Sequence, residues 1–169
     1  MPFTPYHFGP GAAIKAAIPK HFSFTVFCFS QVVTDSETAY YMIQGLYPWH
    51  RFLHTYLGAV IVAVFSILVG RPVCQLALRL WVAWPSAPFA HYFPRATAIS
   101  YRSATVGAFI GTFSHVFLDS IMHNDTQPLM PFSDANPFYS TTLLWPLHAI
   151  CILLAFFGVF HVASTQRST

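Results

Sequence analysis

Residues Gly111–Pro128 read GTFSHVFLDSIMHNDTQP, an apolar run that turns polar at its far end, where His115, Asp119, His123 and Asp125 arrive together. Side chains four apart on a helix stand roughly 5–6 Å apart at Cβ, so His115, Asp119 and His123 are predicted to form one stripe. A carboxylate between two imidazoles in an apolar helix is costly to bury unless a partner or a metal compensates it. The stretch therefore predicts an apolar helix that carries a divalent-metal site at one end.

The composition agrees with that reading. Of 169 residues, 55% are hydrophobic and only 8% charged, where an average soluble domain carries about 25% charged residues. Such a balance, with long apolar runs, predicts an integral membrane protein. The net charge of +3 is small and scattered, which argues against a nucleic-acid partner. The start, MPFTPYHFGPGAA, lacks the basic head and apolar core of a cleavable leader and is expected to stay in the mature chain. Cys28, Cys74 and Cys151 sit at unrelated spacings in apolar stretches and read as small buried hydrophobes.

The expected fold is all-α, with about three full transmembrane helices, an N-terminal re-entrant helical hairpin and one interfacial helix, in a single domain over residues 1–169. The hairpin covers 1–35, entering at His7, turning near Lys20 and returning at Asp35; neither arm reaches the ~20 residues of a full span. A polar, aromatic loop follows. The first span is expected at 50–70, with His50 and His54 in its first two turns and Arg71-Pro72 as its stop. An amphipathic interfacial helix follows at 73–84. Pro85, Pro88 and Pro94 break the next connection. The second span is 99–122, where Gly107 and Gly111 give a GxxxG pattern that permits close packing. The last is 142–163.

In this threading Lys20, Arg71, Arg79, Arg95, Arg102 and Arg167 fall on one side, with Lys15 nearby. All five acids and just one base, Arg51, fall on the other. Basic loops stay in the cytoplasm, so the His/Asp end should face the periplasm or exterior and the C-terminus the cytoplasm.

His7, Asp35, His50, His54, His115, Asp119 and His123 are thereby expected as metal ligands around one pocket. The spacing His50-x-x-x-His54 suits two imidazoles on one helix face. Mixed nitrogen and oxygen donors suit zinc, with manganese or iron as alternatives, and the donor count allows one ion or two. His148 is a weaker candidate, and His21, His91 and His161 fall on the basic side.

In order along the chain, Tyr6-His7, Asp35-Ser36-Glu37, His50-Arg51-Phe52-Leu53-His54-Thr55, and Ser114-His115 through Asp119 with Pro128-Leu129 resemble the motifs of the membrane-bound metal-dependent hydrolases of bacterial inner membranes. Thr34 stands where that family has proline before its first acid, and the turn NDTQPL lacks the family's glycine. The resemblance implies location in a bacterial inner membrane and supports metal binding more than a defined substrate.

The expected activity is hydrolysis of a phosphoester of a lipid or lipid-linked substrate, with membrane lipids as partners. Glu37 or Asp35 is the expected general base, and Arg51 the group that grips a phosphate oxygen. A different class of function stays open: a non-enzymatic cofactor-binding or structural subunit of a membrane complex, holding haem or pigment through its histidines. Homo-oligomer formation is equally open.

Overall fold

The computed structural model describes residues 5–84 and 98–166, and the described residues are helical with no strand. Pro85, Pro88, His91, Pro94, Arg95 and Arg167 lie outside them. The helices are α1 (Phe8–Ala17), α2 (Phe24–Ile43), α3 (Tyr56–Phe65), α4 (Arg71–Ala83), α5 (Tyr101–Met122) and α6 (Leu144–Gln166). Three stretches are long and apolar enough to cross a membrane: Tyr56–Ala83, Tyr101–Met122 and Thr141–Ser164.

The central helix is α5, with 56% of its apolar window buried, against 11% for the last span. That contrast sorts α5 to the middle and leaves most of the apolar surface of α6 uncovered by the described residues. Ser100 starts α5, its Oγ accepting a hydrogen bond from the Ser103 N–H (3.1 Å). Along one face the residues at spacing four are Gly107, Gly111, His115 and Asp119, all buried. Two residues without side chains are thus followed, two turns on, by two that carry chemistry.

That row decides how α2 docks. A Cβ on Gly107 would stand 2.5 Å from the carbonyl oxygen of Ser23, and one on Gly111 would collide with Ser30 Oγ. Helix α2 therefore lies against α5 at backbone distance, the close approach that small residues permit. The two helices run in the same direction: Ser23 N–H donates to the Ser103 carbonyl (3.0 Å), and Gln31 meets His115 further along. The core beside them is built of small and branched side chains, Val26, Ala63, Cys74, Ile99, Ala104 and Ala108.

Two expected boundaries are corrected. The first concerns the return arm of the hairpin, which was expected to end at Asp35. Helix α2 runs on to Ile43, because DSETAYYMI contains neither proline nor glycine. It ends only at Gly45, whose φ of +66° suits glycine. There the N–H of Leu46 donates to Tyr41 O (2.9 Å) and that of Gly45 to Met42 O (3.1 Å), the paired bonds of a Schellman ending. Asp35 and Glu37 consequently sit on a helix.

The second concerns the first span and the interfacial helix. The span begins at Tyr56 because Thr55 is its cap, Oγ1 accepting from the Gly58 N–H (2.9 Å). His50 and His54 precede it, so they do not share a helix face. Arg71-Pro72 does not stop the span either. A π-turn over Ser66–Gly70 joins α3 to α4 and α4 continues to Ala83, so 73–84 is the end of a 28-residue helix and not a separate surface segment. A wider turn immediately before proline accommodates the ring and the missing N–H that would break a regular helix.

Candidate metal centre

Each wall of the centre is set by a local feature already described. The glycine row lets α2 bring Gln31 and Asp35 onto α5. The cap at Thr55 turns the chain so that His54, on a short 3-10 turn Phe52–His54, points inward. A second 3-10 turn, Pro5–His7, delivers His7 from the start of the chain.

Asp35, His54, His115 and Asp119 come together in a buried cluster, with one donor atom from each lying within 4.8 Å of the others. His115 Nε2 stands 3.2 Å from Asp35 Oδ1 and 3.1 Å from Asp119 Oδ2. His54 Nε2 stands 3.3 Å from Asp119 Oδ2 and 3.8 Å from Asp35 Oδ1. Both rings present Nε2 to the same two carboxylates, the convergence that a tetrahedral nitrogen–oxygen site needs.

The other ring nitrogens face outward to their own partners. His115 Nδ1 and Gln31 Oε1 are 2.5 Å apart. An amide oxygen only accepts, so His115 carries its proton on Nδ1 and leaves the Nε2 lone pair for an ion. Behind His54, Glu37 Oε2 accepts from the Leu53 N–H (2.8 Å) and lies 3.5 Å from His54 Nδ1.

His7 reaches the cluster through Asp119, Nε2 to Oδ1 at 3.5 Å, and its ring packs edge-on against His115 at 4.6 Å. Burial pushes the His7 imidazole down to about 4, against the pull of Asp119, so it stays neutral and able to ligate. Burial would likewise lower His54, but the surrounding Asp119, Asp35 and Glu37 raise it well above the ordinary histidine value. The pocket attracts positive charge, and a metal ion answers that attraction as well as a proton does.

Both ring nitrogens of His7, His54 Nδ1, His115 Nε2 and Asp119 Oδ1 are buried without a hydrogen-bond partner. Leaving one such group unmatched costs about 1–3 kcal/mol. Three of them, His7 Nε2, His115 Nε2 and Asp119 Oδ1, meet at the Asp119 carboxylate, a poor core and a reasonable ligand shell, so these donors fit a divalent ion.

The structure divides the expected ligand set. His50 and His123 are not in the buried cluster; they gather with Asp125 in an outer one, again with donors within 4.8 Å of each other. His50 Nδ1 is 2.9 Å from Asp125 Oδ1, and the His50 and His123 rings stack at 4.3 Å. His123 does not extend the helical stripe, since α5 ends at Met122 and His123 caps it in extended geometry. Burial pushes its imidazole down to about 4. Burial would raise Asp125, but hydrogen bonds from His50 and the backbone N–H groups of Trp49 and His50 hold its carboxyl well below the usual range.

Arg51 belongs to neither cluster. Its Nε donates to Pro48 O (2.9 Å) and its guanidinium lies over the Tyr41 ring at 3.7 Å. It lines a pocket of about 400 Å³ with Pro48, His50, Phe52, Thr55, Leu57, Gln127, Met130 and Pro131. His148 is engaged elsewhere, its Nδ1 2.7 Å from Leu144 O and its ring against Tyr6. His21 is exposed in the α1–α2 connection.

Sequence reasoning missed Gln31, and noted Asp125 without including it among the ligands. Gln31 is a long polar residue in an otherwise apolar stretch, one turn before Asp35, and that spacing places both on one face. Asp125 follows His123 by two positions in a turn, and its pairing with His50 could not be read from either segment alone. Comparison with protein-family models, with curated proteins and with solved structures finds no match.

Proposed function

We propose that this chain is a metal-dependent hydrolase of a bacterial inner membrane, cleaving a phosphoester in a lipid or lipid-linked substrate at the outer leaflet. The observation that carries the reading is the convergence of His54 Nε2, His115 Nε2 and the carboxylates of Asp35 and Asp119 in one buried cluster at the end of the helices. Ionisable groups at membrane depth are maintained for function. The short motifs shared with membrane-bound metal-dependent hydrolases, described above, favour the same class.

When bound, a divalent ion such as zinc, or manganese or iron, would polarise a phosphoryl oxygen and bring the pKa of a water to about 7. The chain's own residues hold and orient. Gln31 fixes the tautomer of His115, and Glu37 braces the turn that carries His54, which gives Glu37 a positioning role. Asp35 is a ligand in this reading and not the general base. Arg51, on an apolar-lined pocket, offers a planar fork for phosphate beside a surface suited to lipid tails. The positive-inside bias sets the His/Asp end outward and the C-terminus in the cytoplasm, with the N-terminal arms as a re-entrant hairpin from the outer face.

Haem or pigment ligation is disfavoured by the carboxylates: His54 stands within 3.8 Å of three and His115 within 3.2 Å of two. Release of phosphate or headgroup from phospholipids and lipid-linked phosphates in detergent, with and without a chelator, tests the proposal. Chelator-sensitive release supports it. Metal-loaded protein that releases nothing from a broad panel refutes catalysis and turns the reading to a structural metal centre.

A further inference from the structure

We infer that His50, His123 and Asp125 form a second metal site, joined to the first by the carboxylate of Asp119, and that this outer ion is the one that meets the substrate. The substrate clause rests on the hydrolase proposal; the site itself does not.

The carboxylate of Asp119 faces two ways. Oδ2 is turned to the buried cluster, 3.1 Å from His115 Nε2 and 3.3 Å from His54 Nε2. Oδ1 is turned away from it, 3.7 Å from His123 Nε2 and 3.5 Å from His7 Nε2, and is buried with no hydrogen-bond partner. An acceptor with two free lone pairs, aimed at an imidazole that belongs to a second donor cluster, is placed to bridge two ions. Asp125 on its own has a plain structural use, since Oδ2 accepts the Trp49 and His50 N–H groups (3.0 and 3.3 Å). That use leaves Oδ1 on His50 Nδ1 and explains neither the stacked His123 nor the orphaned Oδ1 of Asp119.

The two clusters differ in what they leave open. The inner one supplies four buried side chains, enough to saturate a tetrahedral ion and close it to substrate. The outer one supplies three, and the His123 side chain is 27% exposed, so a position remains for water or a phosphate oxygen. His50 also lines the pocket that holds Arg51. Two imidazoles with carboxylate oxygens suit zinc or manganese.

The test loads full-length chelator-treated protein in detergent with Mn2+ and with Zn2+ and counts bound equivalents. Wild type is expected to take up two. His123→Ala and Asp125→Asn are expected to take up one each, and that retained equivalent reports that the fold and inner site persist. The Mn2+ spectrum by electron paramagnetic resonance should change from a coupled pair in wild type to an isolated ion in His123→Ala. One equivalent in wild type, unchanged in both variants, would overturn the outer site while leaving the inner one. Two equivalents in wild type that both variants retain would overturn this ligand assignment as well.

Discussion

Gln31 and His115 lie far apart in the chain, yet their Oε1 and Nδ1 atoms meet at 2.5 Å in the buried interface of α2 and α5. Gln31 also donates from Nε2 to the backbone oxygen of His7 at 3.4 Å, so one amide ties together three of the elements around the centre. Partners that fix the tautomer of a ligating histidine typically contribute 10–100-fold to metal affinity. Gln31→Met, of similar size, is therefore expected to weaken Zn2+ binding by about that factor with the protein still folded. Competition with a chromophoric chelator measures it; unchanged affinity would show that Gln31 only packs.

Gly107 sets the distance between the same two helices. Alanine there gains helix propensity of up to ~1 kcal/mol, but its Cβ would stand 2.5 Å from the Ser23 carbonyl, backbone that cannot step aside alone. The clash should win, with Gly107→Ala destabilising by about 1–3 kcal/mol. Gly45 has nothing within 4 Å and a φ of +66°, so Gly45→Ala meets only backbone strain of roughly 1–2 kcal/mol. Thermal unfolding in detergent should show both shifts, and metal content should fall only in Gly107→Ala.

Much of this was legible in the sequence. The Gly107–Gly111 pair announced close packing, and of the expected stripe of His115, Asp119 and His123 the first two do share a buried face of α5, while His123 falls past the end of the helix. What failed was local structure around His50 and His54. Their spacing imitates a helix face, but a capping threonine after His54 and proline before His50 place them outside the helix, and they part into different clusters. The Arg71-Pro72 pair read as a stop because a regular helix cannot hold proline, whereas a π-turn can. Gln31 and the pairing of Asp125 with His50 escaped because they are long-range contacts, set by how segments dock.

Metal removal should lower stability. An ion present at 100 times its dissociation constant stabilises a folded site by about 2.7 kcal/mol. Stripping it also leaves His115 Nε2 and Asp119 Oδ1 unmatched in the buried centre. Adding a chelator is expected to lower the melting temperature by several degrees and Zn2+ to restore it, measured by intrinsic tryptophan fluorescence. A melting curve indifferent to chelator would contradict a resident ion.

The proposed orientation rests on charge. Lys15 is bonded to Pro19 and Phe22 carbonyls and Arg71 to the Ile99 carbonyl, all at the end of the helices opposite the clusters. A reporter fused after the C-terminus is expected to be cytoplasmic, and one inserted at Asp134 external. An internal Asp134 would reverse the assigned face.

The most direct measurement is the metal content of the purified protein and its ligand variants by elemental analysis. Wild type should carry at least one equivalent of a transition metal. His54→Ala, His115→Ala and Asp119→Ala should each lose the inner ion, while His21→Ala, an exposed histidine remote from both clusters, should keep the wild-type content. Folded protein that binds no metal even after loading, or equal content in all five proteins, would contradict the account.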